Sequence, residues 1–415
     1  MGVRFPSVVV ILVGGMFFLL YLLPWQSLPS VPFPSPSSFP RSRVVVNSNV
    51  SLMTLEYPLL DVDPLAESPP LQQYQPHGLV TYRAMVESGV TFNVTGSDVL
   101  VILHIQKTGG TSFEKHIVQD LVIDKPCVCW KKRKRCKCPR PPSRDQSKPE
   151  EQRSADSWLF SRFSTGWICG LHADWTELTA CVDSELDRAY GTPVQRRYFY
   201  VTMIRDPIHR FLSEFRHVQR GATWKASRHI CNGRYASPEE LGKCYSGRSW
   251  AEVSLSDFVN CSHNLAFNRQ TRMLANLSMI GCYNKSYMSP QQRDKMMLAS
   301  AKQNLASMAF VGLTENQKIS QYIFEETFKL RFKIPFTQNE DTYSKSTLDK
   351  TTPSELKAVR QANALDLELY AFAEQLLHNR FNELKVRDPY FREHYNSLGE
   401  QNGYHFSWDD IENED

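Results

Sequence analysis

Cysteine is absent from the first 126 residues of this 415-residue chain and from everything after Cys282; all ten lie from Cys127 onward to that point. An even number gathered in one region suits disulfides made in an oxidising compartment, although their pairing does not follow from sequence. A large excess of one charge is missing as well: 48 lysines and arginines face 44 aspartates and glutamates, so the balance gives no sign of a nucleic-acid partner. No internal repeat is visible, which sets aside solenoids and propellers. With 41% hydrophobic residues and 12% aromatics the chain is not compositionally disordered, and its length supports one large core or two modest ones.

Lysine and arginine are also lacking between Arg4 and Arg41, and within that gap Val8 to Leu23 is an apolar run followed by Pro24 and Trp25. The run is short for a plasma-membrane span and workable for a thinner internal membrane with Trp25 at the interface. No small-x-small cleavage site follows, so residues 8–25 read as a retained signal-anchor rather than a cleaved signal peptide. Arg4 on the short side puts residues 1–7 in the cytosol and the remainder in the lumen. Asn49, Asn93, Asn260, Asn276 and Asn284 each open an Asn-x-Ser/Thr acceptor, in agreement with a lumenal chain. Residues 26–90, rich in proline and serine at the start, read as a stem; residues 91–395 read as the lumenal domain. Residues 396–415 form an acidic tail expected to be disordered, with five acids from Asp409 to Asp415.

The stretch Val99-Leu-Val-Ile-Leu-His-Ile-Gln-Lys-Thr-Gly-Gly-Thr-Ser112 organises the rest. Its near-continuous apolar start suits a strand inside a parallel sheet covered on both faces, giving an α/β fold. Phe113, Ile117 and Leu121 then recur at helical spacing, predicting a helix that packs back over the strand and ends near Asp124. Its first turn aims unsatisfied N–H groups at the intervening loop. Gly109 and Gly110 allow close approach, Lys107 supplies a full charge, and Thr108, Thr111 and Ser112 supply hydroxyls. Every part favours a phosphate or sulfate. The lysine precedes the glycines, unlike a Walker loop, and no acidic metal ligand in a recognisable motif accompanies it, so a nucleotide-dependent kinase is the second reading.

Between Cys127 and Arg144 lie eight basic residues and no acid. The two Cys-x-Cys pairs there admit a zinc site or disulfides; the missing two-residue gap and the oxidising compartment favour disulfides that pin a basic loop suited to a polyanion. Trp158 to Trp175 packs three tryptophans, Arg162 and His172 around Gly166 and Gly170, which reads as a loop crossing a cleft with tryptophan faces open to sugar rings. Taken alone, His172 there reads first as a structural histidine. Tyr198 to Ile204 is a second strand, Asp206-Pro207 turns into a helix, and Phe211 and Phe215 are its buried stripe. Arg205 therefore stands at the carboxyl end of a strand, where open parallel sheets bind ligands, with Ser213 on the same face two helical turns on. His217 and Trp224 follow on that helix and its exit. The pattern from Ser254 to Lys333 is mostly helical, with a helix from Gln291 to Leu305, a strand at Met308 to Leu313 and a helix from Gln317 to Phe328. Residues 332–346 form a polar loop expected to close over a nucleotide, and Leu356 to Leu384 one amphipathic helix.

Lys-Thr-Gly-Gly-Thr after a strand, Arg-Asp-Pro with Ser213 downstream, and the single-anchor topology resemble the Golgi carbohydrate sulfotransferases. The blocks His-Ile-Gln-Lys-Thr-Gly-Gly-Thr, Trp-Leu-Phe-Ser-Arg-Phe-Ser-Thr-Gly-Trp, Gly-Leu-His-Ala-Asp-Trp-Thr-Glu-Leu and Arg-His-Val-Gln-Arg-Gly-Ala-Thr-Trp-Lys are similar to the heparan sulfate 6-O-sulfotransferases, over about Val99 to Phe336. The resemblance implies a P-loop-like sulfotransferase fold, a type II Golgi membrane protein, and 3'-phosphoadenylyl sulfate (PAPS) as donor. It implies that the 5'-phosphosulfate is held by His104, Ile105, Gln106, Lys107, Thr108, Gly109, Gly110, Thr111 and Ser112, and the 3'-phosphate by Arg205 and Ser213. Thr337, Gln338, Asn339, Tyr343 and Ser344 match further donor contacts. His172 matches the general base, with Lys107 supporting the leaving group. Arg162, Trp167, His217 and Trp224 match contacts to the heparan sulfate acceptor, and Lys134 and Arg135 reach sulfates further along it. No metal is expected. A non-catalytic heparan-binding protein, or sulfation at another position of the glycan, is the alternative.

Overall fold

The apolar run that opens the sequence pattern becomes the strand Asp98–Leu103 (β1), in which every residue is buried. In the computed structural model, which describes residues 76–140, 157–336 and 343–399, β1 lies inside a four-stranded sheet. The other strands are Leu159–Phe160 (β2), Arg197–Ile204 (β3) and Phe310–Leu313 (β4), in the order β2-β1-β3-β4 and all parallel. Leu100 pairs with Phe199 and Val201 with Phe310, so apolar side chains align across strands as well as along them. Val99, Leu100, Val101, Phe199, Val201 and Phe310 are fully enclosed, each worth about 1.5–3 kcal/mol of burial.

The chain leaves β1 toward β2 on one side and takes up β3 on the other. That reversal opens a crevice at the carboxyl ends of β1 and β3, the place where such sheets bind ligands. The helix Gly110–Gln119 (α1) follows β1 and packs back on β3. It stops earlier than its apolar spacing predicts, because Leu121–Val122 forms a short antiparallel strand with Arg331–Phe332 and Leu121 is buried there against Phe332. The helix Trp175–Tyr190 (α2) starts with a capping box between Asp174 and Glu177, and Pro207–Gln219 (α3) starts with Asp206 accepting from His209 N and Pro207 in its first turn.

The segment expected as one helix from Leu356 to Leu384 is two, Pro353–Ala362 and Ala364–Arg387. Asn363 leaves the helical region (φ −123, ψ 29), and its amide donates back to Val359 O at 2.8 Å. The break presents the Asp366 carboxylate to the N–H groups of Gln270 and Thr271, 3.1 and 2.7 Å away. The helices at Pro290–Ser307 and Gln317–Phe328 form as expected. Packing also reaches back ahead of residue 91: Leu79 bridges Tyr198, and Tyr82 and Met85 are buried. The expected anchor at 8–25 and residues 400–415 of the tail lie outside the described residues. Among the described residues no helix is long and apolar enough to cross a membrane.

Candidate active site

After β1 the chain turns sharply, with Lys107 (φ 66) and Gly109 (φ 78) in the left-handed region. Gly109 caps α1 without a side-chain bond, so the first N–H groups of the helix face the loop. A side chain at Gly110 would bring its Cβ within 3.1 Å of the His104 ring, and one at Gly109 within 3.4 Å of Thr314. The loop is braced by its own backbone: the Thr108 hydroxyl donates to Ile105 O at 3.0 Å, and the Thr314 hydroxyl bridges the carbonyls of Thr108 and Ile204 at 2.6 and 3.0 Å. Thr108 is thus a loop brace, fully buried, whereas Ser112 is exposed. Gln106 is buried with its Oε1 unpartnered.

Arg205 leaves the end of β3 and donates through Nη1 to Lys107 O at 3.2 Å. Gln270 holds it in place, accepting from Arg205 N at 3.0 Å and donating to Arg205 O at 2.9 Å. Ser213 is half-buried on α3. Thr337, Gln338 and Asn339 lie outside the described residues, as do the side chains of Tyr343 and Ser344, which open the helix Tyr343–Leu348.

His172 (φ 51) comes over the loop from the segment between β2 and α2. Its Nδ1–H donates to His104 O at 3.2 Å, which leaves Nε2 as the proton acceptor. Its ring is 4.6 Å from Trp167, 4.9 Å from His104 and 5.2 Å from Trp224, measured between centroids. Burial pushes the imidazole well below its usual pKa; the charges of His104, Arg269 and Arg162 add to that, and the bond to His104 O acts the other way. The ring is therefore neutral at pH 7. Arg162 donates to Thr111 Oγ1 at 2.9 Å and lies 5.6 Å over Trp167, while His217 lies 5.5 Å from Trp224. Of the three tryptophans between 158 and 175, only Trp167 faces this wall; Trp158, immediately before β2, and Trp175, the first residue of α2, are buried in the core.

The basic loop is cross-linked by nested disulfides, Cys127–Cys138 and Cys129–Cys136, with Val128 and Lys137 paired between them. Cys136 N donates to Phe163 O at 2.6 Å, tying the loop to the tryptophan segment. Arg135 consequently lies across Gly166, where a Cβ would stand 3.2 Å from its Cδ; Lys134 is exposed beside it. The remaining cysteines pair as Cys169–Cys181, Cys231–Cys282 and Cys244–Cys261. One group among the described residues has metal-ligand spacing, Glu326, Asp388 and His394, and Glu326 is ion-paired there to Lys329 and Arg331.

A glycine loop that carries Lys107, with a neutral imidazole suspended over it, is suited to moving a charged group onto a hydroxyl. The sulfotransferase family model matches residues 90–373, a span that includes the sheet and both halves of this site. The chain belongs to the sulfotransferase family. It is 49% identical over 302 residues to heparan-sulfate 6-O-sulfotransferase 2 of Gallus gallus, covering 72% of each chain. To the Danio rerio protein of the same name it is 52% identical over 297 residues, 70% of this chain and 60% of that one. To heparan-sulfate 6-O-sulfotransferase 1 of Homo sapiens it is 49% identical over 301 residues, 71% and 69%.

In this sulfotransferase the groups that sequence reasoning missed are the two buried carboxylates behind the site. Glu114 contacts His104 Nδ1 and accepts from Arg162 N at 3.1 Å. Glu214 pairs with Arg210 and Arg269 and accepts from Trp224 Nε1 at 2.9 Å. The available signal was a glutamate inside an apolar helical stripe on both α1 and α3, a position where charge is retained only with partners.

Proposed function

We propose that this chain transfers the sulfuryl group of PAPS to the C6 hydroxyl of glucosamine units in heparan sulfate. One observation carries the reading: His172 and Arg205, from separate segments, each bond to a backbone carbonyl of the loop that holds Lys107, at 3.2 Å in both cases. The names of the relatives support the substrate and the position. The loop fits an anionic donor, since Gly109 and Gly110 leave no side chain in the cradle, α1 faces it with unsatisfied N–H groups, and Gln106 carries an unpartnered polar atom beside it.

In this reading residues 104–112 hold the phosphosulfate, Arg205 and Ser213 hold the 3'-phosphate, and Thr337, Gln338, Asn339, Tyr343 and Ser344 complete the donor site. Bound PAPS supplies the sulfuryl group. His172 Nε2 takes the proton of the C6 hydroxyl as that oxygen bonds to sulfur and the sulfur–phosphate oxygen bond breaks. Lys107 offsets negative charge growing on the departing phosphate oxygen. Trp167 and Trp224 flank the acceptor sugar, Arg162 and His217 orient it, and Lys134 and Arg135 meet sulfates further along the glycan. A sulfuryl group carries less charge than a phosphoryl group, so lysine and backbone donors suffice and chelators leave the rate unchanged. The protein works as a single-pass Golgi membrane protein, anchored by residues 8–25 with residues 91–395 in the lumen; the five disulfides support an oxidising compartment.

The test incubates the lumenal part with labelled PAPS and N-sulfated heparosan and analyses the disaccharides. Label at C6 of glucosamine is expected. Label at C2 or nitrogen, or no label, rejects the proposal.

A further inference from the structure

A cavity of about 860 Å³ opens beside Trp224. Trp224, Glu214 and Arg269 line it, so it shares a wall with the site where Trp224 meets His172. Its floor is aromatic: Tyr245 and Trp250 stack at 5.6 Å between centroids with an interplanar angle of 19°, and Phe258 lies 5.4 Å beyond Trp250. The loop that closes it is fixed in place. Cys244 is bonded to Cys261, and Lys225 Nζ donates to the carbonyls of Gly247 and Arg248, both at 2.7 Å.

The rim is cationic. Glu214 is the one acid among the residues lining the cavity, and it is already matched by Arg269 and Arg210. Lys243 is exposed and has no acidic partner among the described residues. His263 stands next to it, its ring so close over Gly242 that a Cβ there would lie 2.6 Å away. An aromatic floor, a fixed loop and an unmatched cation at the mouth suit an anionic saccharide. The cavity volume falls in the range of ordinary ligand sites.

We infer that this cavity is a second acceptor subsite, which takes the sugar unit next to the reacting glucosamine and pairs its carboxylate or sulfate with Lys243. The inference rests on the function proposed above, because continuity through Trp224 is what directs a glycan into it.

The experiment measures binding of N-sulfated heparosan octasaccharides to the full-length protein in detergent by calorimetry, with turnover followed in parallel. Lys243→Glu, a change at an exposed position, is expected to weaken octasaccharide binding about 5- to 10-fold while kcat and the KM for PAPS stay as in the wild type. Trp250→Phe is expected to keep binding, and Trp250→Ala to weaken it about 10-fold. An octasaccharide with reduced, unsulfated uronic units separates the anions. If Lys243→Glu loses its effect on that ligand, the carboxylate is the group read; if an added uronic sulfate is needed to see the effect, the sulfate is. Equal affinity of wild type and Lys243→Glu for every octasaccharide overturns the subsite. Tight, Lys243-dependent binding with no transfer to C6 supports the subsite and fails the proposed reaction instead.

Discussion

The two sides of this site are built on different principles. In the proposed reaction the donor side is one run of nine residues, His104 to Ser112, whose shape comes from backbone torsions at Lys107 and Gly109 and from bonds between main-chain groups and two threonines. The proposed acceptor side gathers Arg162, Trp167, His172, His217 and Trp224 from separate segments and is held from behind by Glu114, Glu214 and the Cys169–Cys181 bridge. A backbone cradle tolerates changes elsewhere. A wall of side chains is only as firm as the buried charges behind it.

Substitutions that strike one side and leave the other intact test that contrast most directly. His172→Ala removes the proton acceptor from the wall: kcat is expected to fall about 10²- to 10⁴-fold with PAPS affinity unchanged by calorimetry, and a variant that still turns over at the wild-type rate would strip His172 of its role. Glu214→Gln leaves Arg210 and Arg269 facing each other with one amide between them, and should cost about 3–5 kcal/mol in urea unfolding. Burial alone would raise the Glu214 carboxyl, yet Arg269 and Arg210 bring it down to about 2. Its stabilising contribution is therefore fully present above its ordinary value of 4.5 and is lost as the pH falls toward 2, a loss that Glu214→Gln should abolish.

On the donor side, Lys107→Ala should lower kcat about 10²- to 10³-fold and leave acceptor binding unaltered. Replacing Cys169 and Cys181 together by serine, which opens a bridge spanning 12 positions, is expected to cost about 3 kcal/mol of stability. It should raise the KM for acceptor well before the KM for PAPS, and equal rises in both would mean the two sides are not independently supported. The smallest effect is on pH. With His172 held well below the usual imidazole range, kcat/KM should stay level as the pH drops through 6.5 and decline only below it; an acid limb centred at or above 6.5 contradicts the buried, neutral imidazole.

The strand, the glycine turn and the helix after it were legible because each depends on neighbours in sequence: an apolar run, two glycines, and a stripe at helical spacing. Arg205 was legible for the same reason, as the first residue past a recognisable strand. His172 was not legible from its own segment, where it looks structural; only the resemblance assigned it a role, and the tautomer that exposes Nε2 depends on a carbonyl 68 positions away. Leu121 misled, since an apolar residue at helical spacing serves equally well in a strand when Phe332 arrives to cover it.

Local pattern, then, determined the parallel-sheet class and the glycine loop after β1, because main-chain conformation is set by residues close along the chain. Tertiary structure alone decided which tryptophan faces the cleft, how the ten cysteines pair and which buried glutamates brace the wall. Those outcomes depend on contacts between segments far apart in sequence, where burial and charge pairing choose among partners that spacing leaves equivalent.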